Sequence, residues 1–155
     1  MTRIQNTRTL DTTVRRYHRL LVHCLAVIAL LMSTAAVADI TQVDNNELKK
    51  LLADGVPLID VRRPDEWKLT GVVEGSHLLT FFDAKGKYDV KQWLAELEQI
   101  APDNQPFILI CAVGGRTGSI ANLLDRKLGF TGVHNVTKGI RGWMKAGEPT
   151  AAWSP

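Results

Sequence analysis

The sequence predicts an α/β fold in which a central parallel sheet of about five strands is covered by helices on both faces, giving three layers. Two observations carry this prediction. Short apolar runs bounded by glycine, proline or charge alternate with helical patterns, as in strands joined by helical crossovers. The 155 residues also contain no repeat and no internal linker, so they fit one hydrophobic core rather than two.

The first elements follow from short local signals. Residues 44–47 (Asp-Asn-Asn-Glu) resemble a helix capping box, and a stripe of leucines follows until Gly55 ends the pattern. The apolar run at residues 57–61 lies between a proline and charged residues, which predicts a buried strand. Residues 77–80 are a candidate second strand.

The second half of the chain shows the same alternation more strongly. Residues 89–97 predict a helix capped by an aspartate, with its apolar residues on one face. Residues 107–110 (Phe-Ile-Leu-Ile) are the clearest strand, and residues 117–128 predict the helix that follows it. A strand at residues 133–136 and a last helix at residues 139–145 complete the predicted sheet and its covering layers.

The first 38 residues resemble an export signal. They carry five arginines against one aspartate, an apolar run at residues 24–32, and Ala-Val-Ala at residues 36–38, where signal peptidase would cut. We therefore expect a periplasmic protein with a single domain at residues 39–155. Residues 20–38 are also long enough to span a bilayer, so an uncleaved inner-membrane anchor that leaves the domain in the periplasm is the alternative.

Charge and composition exclude several classes of function. After residue 38 the chain has fourteen basic and fifteen acidic side chains, so no basic field supports nucleic-acid binding. Its histidines and cysteine lack zinc-type spacing, and we expect neither a metal nor an organic cofactor. We expect a monomer that meets a membrane only if the N-terminal segment stays uncleaved.

Cys111 is the strongest candidate for chemistry. Removal of residues 1–38 also removes Cys24, which leaves Cys111 without a disulfide partner in an oxidising compartment. It follows the predicted strand at residues 107–110, and ligands of parallel sheets gather at the carboxyl ends of strands. An inert buried cysteine is the alternative, but the residues that follow favour a nucleophile.

The segment after Cys111 predicts an anion-binding loop. Two adjacent glycines allow a tight turn whose N–H groups point inward, and a helix N-terminus follows. A cysteine in this position should have a lowered pKa and react as the thiolate. Arg116 donates hydrogen bonds to loop carbonyls or faces an anionic substrate, and a solvated arginine on the first turn of the helix is the alternative. The candidate binding residues are Ala112, Val113, Gly114, Gly115 and Arg116.

Four further residues are predicted to support this site. Thr117 begins the helix after the loop, and Asp60 and Arg62 lie at the end of the strand at residues 57–61. Together with Glu66, Asp60 and Arg62 predict a carboxylate at a strand end and an ion pair, a structural role. Lys138 precedes the last helix.

In these residues the chain resembles the rhodanese family of sulfurtransferases over residues 40–149. The family's opening strand and acidic-aromatic motif match Leu58-Ile-Asp-Val-Arg62 and Glu66-Trp67. Its Gly-His-Ile-x-Gly-Ala segment matches Gly71-Val-Val-Glu-Gly-Ser76, and its catalytic loop matches Cys111-Ala-Val-Gly-Gly-Arg116. Its C-terminal motif matches residues 138–149.

The resemblance implies a double displacement at Cys111. The thiolate would take the outer sulfur of thiosulfate or a related small anionic donor as a persulfide, and a thiophilic acceptor, cyanide or a thiol, would then receive it. Three positions depart from the family. Val72 replaces a histidine, Ala112 replaces a frequent arginine, and Lys138 stands where glycine is common, near the expected site. Lys138 is either solvated or restores the charge missing at Ala112.

Two other functions fit the same resemblance. Related phosphatases enclose phosphate in a longer Cys-x5-Arg loop, whereas four residues separate Cys111 from Arg116 here, so a phosphatase or arsenate-reductase activity is disfavoured. A non-catalytic interaction module or a sulfur carrier is the alternative from a different class. The intact cysteine and its glycine loop favour the enzyme.

Overall fold

The structure, a computed structural model, describes residues 40–154. The predicted export segment at residues 1–38 lies outside the described residues. Within the described part, no helix has both the length and the apolar character that crossing a membrane requires.

Within residues 40–154, five strands and five α-helices alternate along the chain. The strands are β1 (Thr41–Val43), β2 (Leu58–Asp60), β3 (His77–Leu78), β4 (Phe107–Ile110) and β5 (Val133–Val136). The helices are α1 (Asn45–Ala53), α2 (Pro64–Thr70), α3 (Val90–Leu97), α4 (Gly115–Leu128) and α5 (Gly139–Lys145). The strands pair in the order β1-β5-β4-β2-β3, and every pair is parallel. The predicted α/β fold is confirmed.

Side chains alternate across the sheet and form a core on each face. Along β4, Phe107 and Leu109 pack on the side of α3 and α4, while Ile108 and Ile110 pack on the side of α1 and α5. All four are fully buried. This confirms the three layers, and it directs Cys111, the next residue, toward the α3 and α4 side.

The predicted helix caps form as hydrogen bonds. The Asp44 carboxylate accepts from the Asn46 and Glu47 amides, and the Glu47 carboxylate accepts from the Asp44 amide at 2.9 Å, which completes the capping box. The Asp89 carboxylate accepts from the Gln92 amide at 3.0 Å and starts α3. These local signals therefore fix the starts of two helices.

The structure differs from the sequence prediction at several short elements. β1 and α2 were not predicted, and β3 covers only two of the four residues expected at 77–80. β1 has a single buried residue, Val43, and so carries almost no apolar pattern. Helix α4 begins at Gly115, two residues before the expected start, because the last residues of the loop after Cys111 already form its first turn.

Candidate active site

Cys111 lies at the carboxyl end of β4, the strand between β5 and β2 in the sheet. It is 1% exposed, and its sulfur sits inside the turn formed by the next residues. The Gly114 amide donates a hydrogen bond to Sγ at 3.2 Å, and the Thr117 hydroxyl lies 3.5 Å from Sγ. The predicted arrangement of strand, cysteine, glycine turn and helix is therefore present.

These donors change the acidity of the thiol. Burial is the largest single influence, and on its own it raises the pKa of Cys111. Hydrogen bonds from the Thr117 hydroxyl and from the amides of Thr117, Val113 and Gly114 act in the opposite direction. Their combined effect holds the pKa of Cys111 below the ordinary value for cysteine, because each donor stabilises the thiolate.

Two glycines make the turn possible. Gly114 has φ 88°, and a Cβ at this position would overlap the Thr137 carbonyl group. Gly139 has φ 54°, and its Cβ would overlap the carbonyl oxygen of Cys111. The loop at Gly114 and the Thr137 carbonyl, and likewise Gly139 and the Cys111 carbonyl, therefore approach more closely than a residue with a Cβ permits.

The start of α5 holds the other side of the loop. The Ile140 amide donates to the Cys111 carbonyl at 2.9 Å, and the Arg141 amide donates to the Ala112 carbonyl at 3.1 Å. Amides in the first turn of a helix have no partner within the helix, so they are available for these bonds. The role of α5 was not foreseen, since main-chain hydrogen bonds leave no residue-type signal at Ile140 or Arg141.

Arg116 does not bond the loop carbonyls in this structure. Its guanidinium forms two hydrogen bonds with the Glu66 carboxylate, Nη1 to Oε2 at 2.8 Å and Nη2 to Oε1 at 2.6 Å. This pair raises the pKa of Arg116 and lowers that of Glu66. The sequence predicted an ion pair in the Asp60, Arg62 and Glu66 group, but the closest partner of Glu66 is fifty residues away along the chain, and Arg63 Nη1 is a more distant one at 3.8 Å.

Asp60 and Arg62 form a second, fully buried ion pair. Arg62 Nη2 lies 2.7 Å from Asp60 Oδ2, and the guanidinium also donates to the Thr70 hydroxyl and the Gly71 carbonyl. The predicted ion pair is thus present, and the structural role of the two residues stays a prediction. These bonds join the end of β2 to the end of α2, the helix that carries Glu66.

The remaining candidate residues are more exposed. Val113 is 56% exposed, Ala112 is half-buried, and a Cβ added at Gly115 would meet nothing within 4 Å. Lys138 precedes α5 and lines a cavity of about 590 Å³ together with Asp44, Asn45 and Thr137. Among the described residues its ammonium forms no ion pair. The pKa of Asp44 is lowered mainly by the hydrogen bond from the Glu47 amide, and the charge of Lys138 makes a smaller contribution in the same direction. Its effect on a substrate stays a prediction.

No cluster of histidine, cysteine, aspartate or glutamate within residues 40–154 could hold a metal ion. The chemistry available at this site is that of a buried thiol with lowered pKa, surrounded by amide donors. Such a group can act as a nucleophile and can stabilise a negative charge formed on the sulfur.

The structure thus has a parallel α/β sheet with Cys111 in an amide-lined loop at the carboxyl end of its central strand. The comparison with family models identifies the class of protein that has this arrangement. The model of the rhodanese-like domain matches residues 44–146, more than half of the chain. The protein belongs to the rhodanese-like domain family. A comparison with curated proteins finds no match.

Solved structures support the same fold. The polysulfide-sulfur transferase homodimer of Wolinella succinogenes has 26% identity and a TM-score of 0.56, covering 77% of this chain and 84% of its own. Rv0390 of M. tuberculosis has 24% identity and a TM-score of 0.57, covering 70% and 95%. RPA3614 of Rhodopseudomonas palustris, described as a possible tyrosine phosphatase, has 22% identity and a TM-score of 0.52, covering 72% and 85%.

Proposed function

We propose that this domain is a sulfurtransferase that moves sulfane sulfur from thiosulfate or a related donor to a thiophilic acceptor through a persulfide on Cys111. The observation that carries the proposal is the sulfur of Cys111 inside a loop of donors, with the Gly114 amide at 3.2 Å and a lowered pKa. The Wolinella neighbour, named a polysulfide-sulfur transferase, supports sulfur transfer as the reaction class.

The first step is a displacement at sulfur. The Cys111 thiolate attacks the outer sulfur of thiosulfate, an Sγ–S bond forms, and the sulfur–sulfur bond of thiosulfate breaks. The electron pair leaves with sulfite, so three negative charges are present before and after the step. The lowered pKa of Cys111 supplies the thiolate, and the loop amides can stabilise the negative persulfide that results.

The second step returns the enzyme to its starting state. Cyanide, or the thiolate of an acceptor, attacks the outer sulfur of the persulfide, and the Cys111 thiolate leaves. Neither step needs an external oxidant or reductant. Because each step breaks a weak sulfur–sulfur bond, one well-placed nucleophile is sufficient for the whole cycle.

The environment of Arg116 favours sulfur transfer over hydrolysis of a phosphate ester. A phosphatase loop uses its arginine to hold the phosphate, and bidentate binding requires a free guanidinium. Here Glu66 occupies both outer nitrogens of Arg116. The four-residue interval between Cys111 and Arg116 also leaves less room than the longer phosphatase loop.

Replacement of the nucleophile tests the proposal. Cys111→Ser should abolish both persulfide formation and thiosulfate:cyanide activity, because a hydroxyl does not replace a thiolate as the nucleophile. Mass spectrometry of the wild type after thiosulfate, thiosulfonate or persulfide treatment should show one added sulfur, about 32 Da.

In the uncleaved chain, which carries both cysteines, Cys24→Ser is the matched control, and it should take up sulfur like the wild type. Transfer by Cys111→Ser at the wild-type rate would contradict the mechanism. A wild-type mass that no donor changes would instead favour a non-catalytic module.

A further inference from the structure

The active-site loop has one cation, and the structure pairs it with a carboxylate. Of residues 111–116 only Arg116 carries a permanent charge. Its two outer nitrogens contact both oxygens of Glu66 at 2.8 and 2.6 Å, the geometry of a bidentate ion pair. The two side chains are 27% and 21% exposed, so solvent screens this pair less than a pair on the open surface.

Glu66 is also held by its own helix. Its Oε2 accepts a hydrogen bond from the Arg63 amide at 3.2 Å, so the side chain of the third helical residue caps the start of α2. The carboxylate is therefore fixed toward Arg116 by two independent sets of contacts. The Arg63 guanidinium pairs most closely with Asp65, with Nη2 at 2.8 Å from Oδ2, and its Nη1 lies 3.8 Å from Glu66 Oε2. The shortest ion-pair contacts of Glu66 are therefore those with Arg116.

Because the cation of the loop is paired, the charge of the sulfur donor determines how strongly the Cys111 thiolate repels it. Attack on thiosulfate brings a thiolate and a dianion together, three negative charges in a loop whose cation is already neutralised. Attack on an alkyl persulfide anion or a thiosulfonate anion brings together only two negative charges. Amide dipoles stabilise developing charge but supply no net positive charge, so the repulsion is larger for the dianion.

Resting on the proposed sulfur transfer, we propose that Glu66 is a specificity-determining residue. By pairing with Arg116 it withdraws the loop's cation from the substrate and favours sulfur donors with one negative charge, alkyl persulfides and thiosulfonates, over thiosulfate. With an alkyl persulfide, the Sγ–S bond forms at the terminal sulfur, the original sulfur–sulfur bond breaks, and the electron pair leaves as a thiolate. A thiosulfonate leaves a sulfinate in the same way.

Glu66→Gln tests this proposal without removing the helix cap. The glutamine oxygen can still accept from the Arg63 amide, because capping boxes accept either residue. The measurement is kcat/KM for thiosulfate and for methanethiosulfonate, which carry two and one negative charges, at low and high ionic strength. The ratio of the two values is the readout, since a partial loss of folded enzyme would change both equally.

The expected change follows from the charges. One released positive charge interacts twice as strongly with a dianion, so the fold-change for thiosulfate should be the square of that for methanethiosulfonate. We expect kcat/KM to rise about threefold for methanethiosulfonate and about ninefold for thiosulfate at low ionic strength, and the difference to shrink as salt screens the charge.

Two variants separate charge from structure. Asp125→Asn also removes one carboxylate, but Asp125 lies nine residues along α4 from Arg116, about 13 Å, and forms no ion pair among the described residues, so this variant should leave the ratio unchanged. In the double variant Glu66→Gln, Arg116→Gln the two positions together carry no net charge, as the ion pair does in the wild type. The ratio of the two kcat/KM values should therefore return toward the wild-type value.

An unchanged ratio in Glu66→Gln, or an equal loss with both donors, would overturn the specificity role while leaving sulfur transfer intact. A wild type that takes sulfur from neither donor would overturn both proposals.

Discussion

The Thr117 hydroxyl lies between two acceptors, and it has only one proton to donate. Its oxygen is 3.0 Å from the Gly114 carbonyl oxygen and 3.5 Å from Cys111 Sγ. When Cys111 is a neutral thiol, the carbonyl is the better acceptor. When the thiolate forms, the proton can turn to the sulfur, because hydrogen bonds to a charged acceptor are stronger. Thr117 thus favours the ionised form of Cys111.

Removal of this hydroxyl should shift the pH dependence of persulfide formation. Thr117→Val keeps the shape of the buried side chain but removes a donor that lowers the pKa of Cys111. The pKa of Cys111 should rise, so the thiolate should form at higher pH and the rate profile should move in that direction. Stopped-flow measurement of the rate of persulfide formation across pH gives the midpoint of this profile.

Ser119→Ala is the control, since Ser119 lies on the same helix and its hydroxyl donates only to the Gly115 carbonyl. A midpoint that Thr117→Val leaves in place, or moves to lower pH, would contradict this role of the hydroxyl.

At the scale of an element, α5 acts as a support for the loop. The helix has only seven residues, yet its first turn donates to the carbonyls of Cys111 and Ala112. Ile140 and Trp143 anchor it in the core on the α1 side of the sheet. The close approach depends on Gly139, whose missing side chain leaves room for the Cys111 carbonyl.

Gly139→Ala should therefore damage the site more than an ordinary glycine replacement. The added methyl overlaps the Cys111 carbonyl, which forces α5 and the loop apart and breaks the two hydrogen bonds. We expect persulfide formation to slow at least about tenfold, because small misplacements of a nucleophile are costly.

Gly55→Ala is the matched control for Gly139→Ala. Gly55 also has a positive φ, 79°, but nothing lies within 4 Å of the added Cβ, so this variant should lose only about 1 kcal/mol of unfolding free energy and keep its activity. Equal kinetics in the two variants would show that the overlap at Gly139 does not control the loop.

The elements also show which parts of the structure are predictable from sequence. β4 and the starts of α1 and α3 were predicted because their signals are local: four apolar residues in a row, or a carboxylate three residues before its partner amide. α2 was missed because Trp67 is its one buried residue and leaves no apolar stripe, whereas α5, which is equally short, buries both Ile140 and Trp143.

The same distinction holds within the site. The position of Cys111 after β4 and its glycine turn follow from contiguous residues, and the structure confirms them. The ion pair of Glu66 with Arg116 joins residues fifty positions apart, so only the folded sheet determines that they meet. Contacts of this kind depend on strand order, which the sequence pattern does not specify.

At the scale of the whole molecule, the C-terminal segment, residues 149–153, packs against residues from the first half of the described chain. Val72 and Ala151 exchange two backbone hydrogen bonds of 2.9 and 2.8 Å in an antiparallel bridge. Trp153 packs edge-on against Trp67, with ring centroids 5.3 Å apart, and the Trp143 indole donates to the Pro149 carbonyl. The residues after α5 therefore tie the end of the chain to α2 and to the segment that follows it.

These contacts should contribute to the stability of the entire domain. Trp153→Ala removes the aromatic partner of Trp67, a buried residue of α2, and should lower the free energy of unfolding by about 2 kcal/mol. Equilibrium urea denaturation, followed by circular dichroism, measures this change. Leu69→Ala on the same helix is the control, because Leu69 is 83% exposed and its loss should cost no more than about 0.5 kcal/mol. A Trp153→Ala variant as stable as this control would mean that the C-terminal segment packs on the domain without stabilising it.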